Sequence, residues 1–149
     1  MKLSTKARYG LRAVLDLAEY YGTGPVQAKL IAERQGISPK YLEHLLSALK
    51  ASGLVQVVRG VHGGYKLARP PGEVRLGDVV RALEGSLHLV ECTDSSGYCP
   101  RQDMCVTREV WREMAAAITN ILNNTTVADL IRRYENKRQA AVAQGMYYI

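Results

Sequence analysis

No stretch of this chain approaches the roughly 18 consecutive apolar residues of a membrane-spanning helix, so neither such a helix nor a membrane partner is expected. The opening Met1-Lys2-Leu3-Ser4-Thr5-Lys6 lacks the apolar core of a secretory signal, which makes the cytoplasm the expected location. There is no internal repeat, which excludes a solenoid. A phosphate-cradling glycine loop, a nucleophile elbow and a metalloenzyme signature are absent too, so an enzyme is not expected. Cysteine is scarce: Cys92, Cys99 and Cys105 are an odd number that cannot complete a disulfide framework. None of them forms the short C-x₂₋₄-C pair typical of structural zinc.

What is present is ordinary for a folded domain: 149 residues, 47% hydrophobic and 23% charged, enough for one core plus an appended element. The charge is uneven. Net charge is +6 overall, but residues 1–69 carry eleven Lys/Arg against four Asp/Glu, a net +7, whereas residues 70–149 are close to neutral at −1. A basic half joined to a neutral half suggests a polyanion binder, with a solvated basic face as the plainer alternative.

Hydrophobic spacing predicts a helix over 5–21, with Leu11, Val14, Leu15 and Ala18 on one face. Gly22-Thr23-Gly24-Pro25 breaks it. A short helix over 27–35 should stop at Gly36. Ser38-Pro39 then starts a third helix, with Leu42, Leu45, Leu46 and Leu49 buried and Gly53 beyond its end. Residues 54–59 and 65–68 read as a hairpin around Gly60-Val61-His62-Gly63-Gly64. Three helices followed by a hairpin with a basic tip is the order of a winged helix-turn-helix. The fold class is therefore mainly α with a small β-hairpin wing.

Residues 1–70 are the expected DNA-binding domain, and 71–105 a connecting helix and a cysteine-bearing loop. Residues 106–135 are expected to form a dimerisation helix with a short final helix, and 136–149 a tail with little pattern. Val110, Met114, Ala117 and Ile121 step by four, three and four, a seam pattern that favours a dimer over packing on the chain's own core.

A helix-turn-helix lays its second helix in the major groove with N-terminal residues toward the bases. That end offers Ser38, Lys40, Tyr41, Glu43 and His44. Lys40 suits guanine or phosphate, and Glu43 suits a cytosine amine while repelling wrong sequences. Arg59, Gly60, His62, Gly63 and Gly64 suit minor-groove or phosphate contact from the wing. Lys6 and Tyr9, near the start of the first helix, complete the expected DNA-binding set. Taken one at a time, each of these residues is more simply a solvent-facing position.

The cysteine spacing, Cys92-x6-Cys99-x5-Cys105 in a Gly/Ser/Asp loop, can wrap an inorganic core larger than one zinc ion. Iron–sulfur clusters take mostly thiolate ligands, but three leave the set one short.

Several stretches together resemble the IscR/NsrR-type family of bacterial winged-helix regulators, over roughly residues 1–135. They are Met1-Lys2-Leu3-Ser4-Thr5-Lys6-Ala7-Arg8-Tyr9, Glu33-Arg34-Gln35-Gly36-Ile37-Ser38, Tyr41-Leu42-Glu43, Gly53-Leu54-Val55, Val58-Arg59-Gly60 with Gly63-Gly64-Tyr65, the three cysteines, and Trp111 followed by Leu122-Asn123-Asn124. The IscR branch is the nearer one. The resemblance implies a homodimer on a near-palindromic operator in double-stranded DNA. It also implies a cluster held by Cys92, Cys99 and Cys105, of the 2Fe–2S type in the IscR branch rather than 4Fe–4S. Cluster occupancy would change which promoters are bound, with Glu43 discriminating between two classes of site. The implied function is control of cluster-assembly genes, as a repressor among other modes.

Two positions depart from the pattern. Arg108 stands where the IscR branch places a histidine ligand, and a guanidinium stays protonated. Arg8 stands where NsrR-like members use an acidic residue. The fourth ligand is thus open among His88, Glu91, Asp94, Asp103, Glu43, a partner-subunit residue and an exogenous molecule. Lys40 and His44 also differ from the IscR pattern, which points to a different operator. Alternatives within the same class are a nitric-oxide sensor with a 4Fe–4S cluster and a metal-free thiol switch. A cluster carrier or redox enzyme is the rival from another class.

Overall fold

The computed structural model describes residues 3–86, 89–93 and 99–146. The elements in chain order are α1 (Thr5–Glu19), α2 (Ala28–Gln35), α3 (Pro39–Ala51), β1 (Val55–Val58), β2 (Gly64–Leu67), α4 (Leu76–Glu84), α5 (Val106–Asn124) and α6 (Val127–Met146). This is a winged helix-turn-helix followed by three further helices.

Three helix starts and one helix end have a local cause. Ser4 caps α1, its Oγ accepting from the N–H groups of Lys6 and Ala7. Ser38 caps α3 through the Tyr41 N–H, with Pro39 in the first turn. Gly36 ends α2 in the left-handed region at φ 61°. Thr126 and Asp129 form a reciprocal cap at α6: Thr126 Oγ1 accepts from the Asp129 N–H, and the Asp129 carboxylate accepts from the Thr126 N–H.

The core is a single cluster. Val14 and Leu17 of α1, Ile31 of α2, Leu42, Leu45, Leu46 and Leu49 of α3 and Val79 of α4 are all buried in it, joined by Leu54, Val55 and Leu67 from the wing's base. β1 and β2 pair antiparallel, Val55 opposite Leu67 and Val58 opposite Gly64. Val26 adds a bridge to Tyr65, each N–H donating to the other's carbonyl at 2.8 Å. α1 crosses α4 where a glycine allows it, since a Cβ on Gly10 would stand 2.1 Å from Leu83 Cδ1.

Asp16 is the buried charge of α1, with its side chain only 2% exposed. Its carboxylate accepts from Arg34 Nε at 3.0 Å, Arg34 Nη2 at 2.6 Å and Gln35 Nε2 at 2.9 Å, which pins the C-terminal end of α2 to α1.

The last expected boundary differs. Residues 136–146 do not form a patternless tail; α6 continues without a break to Met146. Lys137-Arg138-Gln139-Ala140-Ala141 are strong helix formers with no proline or glycine among them, so propensity extends the helix without an apolar stripe to announce it. No helix among the described residues is long and apolar enough to cross a membrane.

Candidate nucleic-acid interface and cysteine site

The four leucines of α3 face the core, so helical geometry turns Lys40, Glu43 and His44 outward, and all three are exposed beside exposed Ser38. Tyr41 lies between the two faces, half-buried, and its ring meets that of Tyr9 edge-on, at 6.2 Å between centroids and 87° between planes. The Arg12 guanidinium sits 5.2 Å over the Tyr9 ring. Arg12 also donates to the Gln35 carbonyl at 2.5 Å and to its side chain at 3.1 Å. The first turn of α3 is therefore braced by α1, and Tyr9 has an intramolecular partner that sequence reasoning did not foresee. Lys6 and Arg8 are exposed near the start of the same helix.

Arg59, Gly60 and His62 are exposed along the wing. The Gly63 N–H closes the tip on the Gly60 carbonyl at 3.0 Å, with Gly60 at φ 116°. Gly63 and Gly64 have reasons internal to the fold. A Cβ on Gly63 would lie 2.2 Å from the Val58 carbonyl oxygen, and one on Gly64 would lie 2.4 Å from that of Val26. Val61, 90% exposed at the tip between these polar neighbours, was missed because one valine in a glycine loop carries no periodic signal.

The cysteines lie C-terminal to α4. Cys92, Cys99 and Cys105 are unpaired thiols, each half-buried. Cys92 sits in a short turn over Glu91–Thr93, and the Cys99 carbonyl accepts from the Gln102 N–H at 3.1 Å. Cys105 occupies the N-cap position of α5. Arg108 ties the two ends of this segment together: its backbone N–H donates to the Cys105 carbonyl at 3.1 Å, and its Nε donates to the Cys92 carbonyl at 2.8 Å. The Thr107 hydroxyl, 3.2 Å from Cys105 Sγ, holds that thiol below its ordinary pKa, helped by the Arg108 backbone. Cys105 also borders a small cavity of about 220 Å³ lined by Asp103, Arg108, Glu109 and Arg112.

Among the described residues no three His, Cys, Asp or Glu side chains converge as a metal-holding group. Asp103 lines the cavity beside Cys105, Glu91 flanks Cys92, and Glu43 lies out on α3. His88 and Asp94 lie outside the described residues. The donor chemistry nevertheless fits an iron–sulfur cluster: three unpaired thiols lie in one segment leading into α5, and Cys105, at its N-cap, has its pKa lowered.

A model of the Rrf2 family, described as an iron-dependent transcriptional regulator, matches residues 3–133. The protein Rrf2 of Nitratidesulfovibrio vulgaris is 47% identical over 132 residues, covering 89% of this chain and 88% of that protein. The HTH-type transcriptional regulator IscR of Klebsiella pneumoniae is 42% identical over 135 residues, covering 91% of this chain and 82% of its own length. Among solved structures, IscR of T. potens has a TM-score of 0.76 at 44% identity and covers 92% of this chain and 90% of that one. CymR, the global cysteine regulator of B. subtilis, has a TM-score of 0.75 at 38% identity and covers 87% and 95%. These relatives are transcriptional regulators rather than enzymes, and they carry the same mostly helical fold with its hairpin wing. With an exposed recognition helix, a basic wing and a family match over nearly its whole length, this chain belongs to the Rrf2 family of winged-helix transcriptional regulators.

Proposed function

We propose that this protein is a cytoplasmic, homodimeric transcriptional regulator that senses an iron–sulfur cluster and controls cluster-assembly genes from a near-palindromic operator. The observation that carries the reading is the set of three unpaired thiols in one segment, with Arg108 bonded to the backbone of both Cys92 and Cys105 at the start of α5. Cys92, Cys99 and Cys105 would hold the cluster, with 2Fe–2S favoured over 4Fe–4S. When bound, the cluster supplies an iron centre that is sensitive to redox state and supply. Arg108 stands where a histidine ligand is expected but serves as a guanidinium brace, so the fourth ligand comes from elsewhere.

The protein's own groups do the recognition. Ser38, Lys40, Tyr41, Glu43 and His44 meet the major groove, while Arg59, Gly60, His62, Gly63 and Gly64 meet the backbone or minor groove, backed by Lys6 and Tyr9. Arg59→Ala should weaken operator binding and lower the slope of log K against log salt by about 1. An unchanged slope would remove the wing from the interface.

Cys92→Ala should abolish iron uptake and leave a folded dimer, checked by iron analysis and sedimentation. An unfolded variant would make the loop structural, and full iron retention would exclude Cys92 as a ligand. A second reading, the metal-free thiol switch, is favoured by Cys105, an unpaired thiol whose pKa the Thr107 hydroxyl and the Arg108 backbone lower. An oxidant response that survives chelation would support it.

A further inference from the structure

Ser4 and Glu84 are far apart in the chain, yet the Glu84 carboxylate accepts from the Ser4 backbone N–H at 3.2 Å and from the Ser4 hydroxyl. Each residue has a second duty. Ser4 caps α1, its Oγ accepting from Lys6 N–H at 3.0 Å and Ala7 N–H at 3.4 Å. A hydroxyl has one proton and two lone pairs, so donating to Glu84 leaves both lone pairs for the cap. The negative acceptor also sits at the positive end of the α1 dipole. Glu84 is the last residue of α4; Gly85 follows at φ 81°, and the chain then leads to Cys92. One residue earlier, Leu83 is in close contact with Gly10 of α1.

The far side of α1 reaches the DNA-reading elements. Tyr9 meets Tyr41 in the first turn of α3, and Arg12 holds the Gln35 carbonyl at the end of α2. α1 is thus a continuous helix of 15 residues, fastened at its cap to the root of the cysteine segment and along one face to the helix-turn-helix.

We infer, on the cluster-sensing reading above, that Glu84 is a positioning residue: through Ser4 and α1 it couples the state of the Cys92–Cys105 segment to the pose of α3. A rearrangement beyond Gly85 that displaces the Glu84 carboxylate takes the cap of α1 with it. Nothing in this coupling requires Glu84 to touch DNA or iron.

The test uses the full-length dimer and, as probe, a duplex enriched from a randomised library by the cluster-loaded wild-type protein. Affinity is measured with the cluster loaded and again after chelation. Wild type should show a difference within the usual range of about 5–150-fold. Glu84→Ala should bring the two forms within about twofold of each other, with iron content and melting temperature close to wild type. Glu84→Gln, which keeps an acceptor oxygen, should restore most of the difference, and Ser4→Ala should reproduce its loss. If Glu84→Ala fails to fold, the Glu84→Gln and Ser4→Ala pair decides in the same way. Wild-type coupling in both Glu84→Ala and Ser4→Ala would overturn the positioning role while leaving the sensing reading intact. A wild type whose two forms bind equally would overturn the sensing reading, and the positioning role with it.

Discussion

Asp16→Ala should lower stability by about 3 kcal/mol, a drop of roughly 6–12 °C in melting temperature for a chain of this size. The loss is large because three charge-assisted or polar hydrogen bonds end on one carboxylate that is almost wholly out of water. It stops short of the 5 kcal/mol that an orphaned buried charge can reach, because Arg34 is 34% exposed and rests on the Tyr20 ring at 4.7 Å, so water can resolvate its guanidinium. Asp16→Asn keeps one good acceptor and loses the charge, so it should fall between the two. The damage is local to the α1–α2 junction, and Gln35 also receives Arg12 from the face that braces α3. Operator binding should therefore weaken even at temperatures where the variant is folded. Thermal melts and operator titrations check both points; a variant as stable as wild type would mean the network is idle.

Met114→Glu should convert the proposed homodimer to monomer. None of the 19 residues of α5 is buried within one chain, and Val110, Met114 and Ile121 are 51%, 39% and 65% exposed. With Ala117 they form the seam read from the sequence, and the chain leaves it uncovered. In an isologous pairing a charge on the seam meets its own image or an apolar neighbour, and both outcomes are costly. A cost of about 3 kcal/mol weakens association by more than about 100-fold. Affinity for a two-half-site operator falls with it, since each half then binds alone. Sedimentation at micromolar concentration reads the change. A variant that remains dimeric would place the interface on another surface.

The winged-helix half was largely legible in the sequence because its signals are local. A serine before a proline, four leucines at helical spacing and a glycine-bounded hairpin each specify an element without knowledge of its neighbours. What escaped depends on tertiary placement. Asp16, Arg34 and Gln35 are distant enough in sequence that no helical or strand period relates them, and Asp16 looks like any charge on an amphipathic helix until α2 folds against it. Tyr9 was expected at the DNA, and its edge-on contact with Tyr41 becomes visible only once α1 crosses α3. Gly63 and Gly64 suggested approach to a ligand, and the backbone of the wing and of Val26 adds a requirement for them that no local signal announced. At the cysteines three candidate ligands can be read from the sequence, but not their arrangement. Arg108 reads as a missing ligand, and its bond to the Cys92 carbonyl supplies the reason a cation belongs there.

Occupancy of the cysteine site is expected to change how the proposed homodimer binds DNA. The most direct test of this is operator affinity of one anaerobic preparation before and after chelation, with iron and sulfide counted at each step. The expected result is about two irons per chain, a ferredoxin-like visible spectrum, and an affinity that shifts at least about fivefold when the iron is removed. Four irons would favour the gas-sensing branch. A colourless protein that cannot be reconstituted, or equal binding by the loaded and stripped forms, would contradict it.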